Sequence, residues 1–150
     1  MWILNTLLIF GAFCFMEGVA WFTHKYIMHG FLWSWHKSHH EPRHGTFEMN
    51  DLFAVVFGGI SAALIIYGSF EMDYRFYLGI GVALYGVAYF LVHDVFVHQR
   101  VKLFKKTNYN YFKAMRFAHK VHHKTTSKYG AEAFGFLFVP MRYLKKYIKN

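Results

Sequence analysis

Cysteine is almost missing from this 150-residue chain, and acidic side chains are scarce. The single cysteine, Cys14, excludes a disulfide within the chain and any cluster of thiolates. Only eight Asp and Glu stand against 17 Lys and Arg, a formal net charge of +9. Such a balance suits a nucleic-acid binder, but no nucleic-acid motif accompanies it. Nucleic acid is therefore not an expected partner, and anionic membrane lipid accounts for the basic surface more simply. Linkers and low-complexity stretches are absent too, so residues 1–150 read as one domain. Charge is also missing from long runs: Leu52–Phe70 and Phe76–Val92 have none, and Trp2–Phe22 has only Asn5, Thr6 and Glu17 as clearly polar members. A membrane span needs roughly 20 mainly apolar residues, so all three runs are read as transmembrane helices. Trp2–Phe22 has no basic start and is longer than the apolar part of a secretory signal, and it is expected to stay attached.

Histidine is what the chain has in excess. Ten of the 11 histidines fall into two matching sets: His24-x4-His29 with His36-x2-His39-His40, then His93-x4-His98 with His119-x2-His122-His123. Only His44 stands outside the pattern. Neutral imidazole is the commonest side-chain metal ligand, and ten of them supply about five to each of two metal ions. On a helix at 100° per residue, positions i+3 and i+4 flank i. Each H-x2-HH triplet therefore shares one face, and its adjacent histidines can serve two different metals. The x4 spacing fits an α-helix poorly, because i and i+5 lie about 140° apart. Convergence of His24 with His29, and of His93 with His98, then needs long side-chain reach or a helix that ends between them.

The charges orient these sets. Residues 99–150 hold 13 of the 17 basic side chains against one acid, Glu132, whereas residues 1–98 hold four basic and seven acidic ones. By the positive-inside rule the C-terminal part is cytoplasmic. The Glu71–Arg75 turn is then outside, and the Thr23–Asp51 loop lies inside with the C-terminus. Both histidine sets thus meet on one face of the membrane, as a shared site requires. Gly58, Gly59, Ala62 and Ala63 opposite Gly79, Ala83 and Gly86 are expected to let the second and third spans pack closely. Thr23–His40 reads as a continuation of the first span and a short helix ended by Glu41-Pro42, and Tyr111–Lys124 as an amphipathic helix. Ala133–Val139 is too short to span and is expected at the interface or re-entering, followed by a basic surface tail at Arg142–Lys149. Glu17, seven residues before His24, and Asp94, four before His98, are candidates to hydrogen-bond ligands and orient them; Asp51 reads as a helix cap.

The fold class that follows is all-α: a polytopic membrane protein with three to four transmembrane helices and a cytoplasmic-side histidine-rich helical cap around a dinuclear metal site. The clusters above, with Phe47–Phe53 (Phe-Glu-Met-Asn-Asp-Leu-Phe), His93–Arg100, Lys128–Gly130 and Gly135–Pro140, resemble the bacterial β-carotene hydroxylases of the fatty acid hydroxylase superfamily. The resemblance covers essentially the whole chain. It implies one membrane-embedded hydroxylase domain in the bacterial inner membrane, with the ten histidines holding two iron ions and O2 as co-substrate. It implies β-carotene and cryptoxanthin as substrates and zeaxanthin as product. Electrons are expected from ferredoxin and its reductase, because the chain has no flavin or nicotinamide motif. Zinc can replace iron in purified protein, since imidazole suits several metals. Two other readings fit the histidines alone: another membrane di-iron oxygenase, such as a sterol or fatty acid hydroxylase or a carotenoid ketolase, and a non-catalytic metal-binding membrane protein.

Overall fold

The computed structural model describes residues 2–42, 45, 47–103 and 105–148; His44 lies outside them. Every regular element in the described residues is helical. Helix α1 is Trp2–Phe22 and runs on without a break into a π-helical segment, Thr23–Phe31. The backbone kinks at Gly30 (φ −108°, ψ −124°), and α2 follows at Trp33–His40. Glu41, held extended (φ −102°, ψ 162°) before Pro42, ends α2 as expected. Helix α3 is Asp51–Ser69, and α4 is Tyr74–Tyr89, continued by a second π-helical segment at Phe90–Val97. Helix α5 is Asn110–His122 and α6 is Met141–Ile148.

Three of these rods are long and apolar enough to cross a membrane: Trp2–Phe31, Asp51–Ser69 and Tyr74–Val97. Their outer sides carry bare apolar residues, Trp2 at 87% exposure and Phe15 at 72% among them. Lipid is the solvent that makes such a surface stable, because a helix satisfies its own backbone there. The chain is a membrane protein.

Helix α4 is the centre of the spans, packed against α3 on one side and α1 on the other. Two glycines explain how it fits between them. Positions 79 and 81 are 200° apart on a helix and so face opposite ways. A Cβ on Gly79 would lie 2.8 Å from Ile65 of α3, and one on Gly81 would lie 2.5 Å from the Ile9 carbonyl of α1. Ser61 Oγ also donates to the Gly79 carbonyl at 2.9 Å. The expected stripe of small residues is thus only partly at the contact. A Cβ on Gly58, Gly59 or Gly86 would meet nothing within 4 Å, whereas Gly68, not foreseen, abuts the backbone of Phe76. Small residues mark close approach only on the face the neighbour occupies, and composition alone does not say which face that is.

Residues 133–139 do not span, as their length predicts. They are a non-helical strap inserted among the helices: Phe136 joins Met16, Ala20 and Tyr85 in the core of the spans, and Val139 joins Ala114, Met115, Ala118 and Tyr143 in the core beneath α5 and α6. The basic tail is the helix α6, where Arg142 pairs with Glu132 and Lys146 sits 3.8 Å from the centre of the Phe117 ring.

Candidate metal centre

The two histidine sets come together at one end of the spans. The ligand nitrogens of His24, His29, His36, His40 and His122 lie within 4.8 Å of one another, and so do those of His39, His98, His119 and His123. His93 adjoins the second group, with its Nε2 3.3 Å from that of His39 and its ring 4.5 Å and 4.8 Å from the rings of His98 and His119. Each group therefore takes an H-x4-H pair, the outer two members of its own H-x2-HH triplet, and the middle member of the other triplet. The adjacent residues His39 and His40 serve different groups, and so do His122 and His123, as the helical spacing predicts. Groups this closely buried and convergent can hold metal ions.

The π-helical segments solve the x4 problem. A π-helix bonds i to i+5, which stacks residues five apart, so neither a helix end nor long reach is needed. The His98 N–H donates to the His93 carbonyl at 2.9 Å and the Leu32 N–H to the Ile27 carbonyl at 3.0 Å, both five residues back. The rings of His24 and His29 end 5.4 Å apart.

Seven of the ten rings are aimed by the outer nitrogen. His24 Nδ1 donates to the Phe134 carbonyl at 2.9 Å, His29 Nδ1 to Lys128 at 3.0 Å, His40 Nδ1 to Thr125 at 2.7 Å and His122 Nδ1 to Glu132 at 2.9 Å. His36 Nδ1 donates to Asn50 Oδ1 at 2.7 Å, His39 Nδ1 to Glu48 Oε2 at 3.0 Å and His93 Nδ1 to Asp94 Oδ1 at 2.7 Å. Carbonyl and carboxylate oxygens only accept, so these seven rings carry their proton on Nδ1 and a lone pair on Nε2.

That tautomer tests whether the site suits a metal. Nε2 of His36 lies 3.1 Å from Nε2 of both His24 and His40, and Nε2 of His29 lies 3.3 Å from that of His122. Two bare lone pairs cannot hydrogen-bond each other. A cation about 2.1 Å from each nitrogen places neighbouring ligands about 3.0–3.4 Å apart, for angles between square and tetrahedral. In the second group His123 Nε2 is buried with no partner at all, a cost that a bound cation removes. The residues present fit metal ions. Burial, followed by repulsion among the rings, also keeps seven of the imidazoles neutral. His40 is pushed down to about 4, His122 to about 3, and His36 and His123 to about 2, while His39, His98 and His119 are all lowered in the same way.

The candidate orienting residues take different partners from those expected. Asp94 holds His93, its neighbour, and not His98, because the π-helical turn swings His98 onto the His119 side, Nε2 to Nε2 at 2.7 Å. Glu17 bonds no histidine. Its carboxylate accepts the N–H groups of Phe136, Leu137 and Phe138 at 2.9–3.1 Å and the hydroxyl of Tyr85 at 2.7 Å. It thus anchors the strap whose Phe134 carbonyl aims His24. Asp51 accepts the Glu48 N–H at 3.0 Å and pairs with Arg100. Glu48, Asn50 and Arg100 were missed as site residues, although Glu48 and Asn50 lie inside the Phe47–Phe53 phrase. Of the aromatics near the sets, Trp33 packs on His29 and His40 and Tyr89 stacks on His93, while Trp35 packs on Phe53.

Apolar membrane helices capped by paired, buried histidine groups define a membrane protein whose histidines could hold metal ions. A family model described as fatty acid hydroxylase matches residues 9–144, and the chain belongs to that family. It is 47% identical over 140 residues to the Beta-carotene hydroxylase of Pantoea ananas, covering 93% of this chain and 80% of that one. It is 46% identical over 136 residues to the Beta-carotene hydroxylase of Pseudescherichia vulneris, covering 91% and 77%. Beta-carotene 3-hydroxylase 1, chloroplastic, of Arabidopsis thaliana is 37% identical over 134 residues, which are 87% of this chain and 43% of that protein. No solved structure matches.

Proposed function

We propose that this chain is an O2-dependent β-carotene 3-hydroxylase that converts each β-ionone ring in turn, giving zeaxanthin by way of cryptoxanthin. The observation that carries this reading is the identity to β-carotene hydroxylases over 93% of the chain, a stretch dense with paired buried histidines. The ten histidines are the ligands of two iron ions. The chemistry supplied by bound iron is activation of O2 for attack on an unactivated ring C–H bond; each hydroxylation consumes two electrons and two protons and releases one water. A soluble one-electron carrier such as ferredoxin, with its reductase, delivers the electrons.

The protein's own residues do three things. They fix the imidazole tautomer, so that the Nε2 lone pairs face inward. They exclude water, because Phe134 and Phe136 pack over the cluster, the Phe136 ring stacked 5.0 Å from His24 and edge-on 5.2 Å from His93. And they place the centre at the end of the spans, where one ring of a lipid-dissolved carotenoid can enter while the rest of a molecule about as long as the roughly 30 Å hydrocarbon core stays in the bilayer. The membrane is the bacterial inner membrane, with site and C-terminus cytoplasmic, supported by the 13 basic residues beyond position 98.

Expression in a bacterium that accumulates β-carotene, followed by pigment chromatography, tests the activity. Cryptoxanthin should appear before zeaxanthin, with oxygen from labelled O2. Label from water only, or a keto product without an alcohol, would sink the assignment. Unchanged β-carotene in iron-loaded, ferredoxin-supplied cells would point to another lipid.

A further inference from the structure

The two histidine groups are aimed by acceptors of different charge. In the group of His24, His29, His36, His40 and His122, every Nδ1 donates to a neutral oxygen: four backbone carbonyls and the Asn50 amide. In the other group, His39 donates to the Glu48 carboxylate at 3.0 Å and His93 to the Asp94 carboxylate at 2.7 Å. Both carboxylates are largely buried, at 10% and 14% exposure. Arg100 ties them together, reaching Glu48 at 3.3 Å, Asp94 at 3.2 Å and Asp51 at 2.9 Å.

These carboxylates act on the metal through the rings they hold. An imidazole whose N–H is held by a carboxylate is a more basic ligand at its other nitrogen, and loss of such a partner typically costs 10–100-fold in metal affinity. We infer that the two metal positions are inequivalent: the position formed by His39, His93, His98, His119 and His123 binds a divalent cation first and more tightly, with Glu48 and Asp94 as positioning residues that act through His39 and His93. The inference rests on the two-metal reading above and not on the substrate.

The test is a titration of the metal-depleted full chain in lipid nanodiscs with cobalt(II), followed by visible absorption and calorimetry. Wild type should fill in two resolved steps. E48Q and D94N should each weaken the first step about 10–100-fold and leave the second in place. N50D puts a carboxylate against His36, and should strengthen the second step and narrow the gap; a merely structural role for these residues does not predict that gain. Circular dichroism identifies any variant that has not folded, and N50D then decides alone. Two ions bound with one affinity, losses from E48Q and D94N shared equally by both steps, or no gain from N50D would overturn the inference. Failure of wild type to bind any cobalt would overturn the two-metal reading itself, whatever the activity.

Discussion

A histidine becomes a ligand only when its proton sits on the nitrogen facing away from the metal, and here that choice is made by partners the side-chain pattern does not display. The Phe134, Lys128, Thr125 and Glu132 carbonyls that aim four rings are backbone atoms. Any residue supplies a carbonyl, so no sequence signal could have found them. The gathering of the histidines into two groups was legible, because two matching arrangements of five histidines are improbable by chance and helical spacing already assigns His39 and His40 to different groups. Ala at any of the ten should lower metal content and hydroxylation at least about tenfold, while His44→Ala should retain most of both; iron analysis and pigment assays on purified variants check this, and several dispensable histidines among the ten would contradict it. Glu17 was legible as a residue that needs a partner and not as the anchor of a strap. An ionisable group in a span must be paired, but the sequence does not say that its pairing partners come from a strap 119 to 121 residues later.

At the scale of elements, the two π-helical segments matter most. The H-x4-H spacing looked like a misfit because it was measured against 3.6 residues per turn; against an i→i+5 ladder it is in register. Each segment amounts to an α-helix with one residue too many, a feature common at functional sites. Deleting Tyr26 should let Thr23–Phe31 relax to an α-helix and leave the total helicity nearly unchanged. The two histidines are then four apart, about 40° from each other on an α-helix, so metal affinity should stay within about tenfold of wild type. A larger loss in that deletion would show that the i→i+5 geometry itself is required. The spans themselves were legible to within a few residues, since membrane length and lack of charge are local properties. The strap at 133–139 was not, because its place depends on Glu17 and on a left-handed Ala133 (φ 62°), neither of which periodicity registers.

For the molecule as a whole, clustering so many neutral imidazoles has a pH cost of predictable sign. His40, His122, His36 and His123 have native values from about 4 down to about 2, below the ordinary 6.5. In the unfolded chain they take up protons near 6.5, which the folded metal-free protein refuses. Their stability contribution is therefore complete above about pH 6.5 and is lost as pH falls toward 4, at about 1.4 kcal/mol per pH unit for each. Thermal unfolding of metal-depleted protein across about pH 8 to 5 should show a falling midpoint. A flat profile would mean that the rings are more open to water than their burial indicates.

The exchange of one histidine between the two groups has a consequence for assembly. Chain cut at the Glu71–Asp73 turn gives a leading piece with four residues of one group and only His39 of the other, and a trailing piece with the reverse, His122 being its loan. Neither fragment owns a complete coordination sphere. Co-expressed halves should therefore associate in the membrane far better with metal than without it, the ions acting as two reciprocal rivets. A protein wired this way has no route to losing one half while keeping a working other.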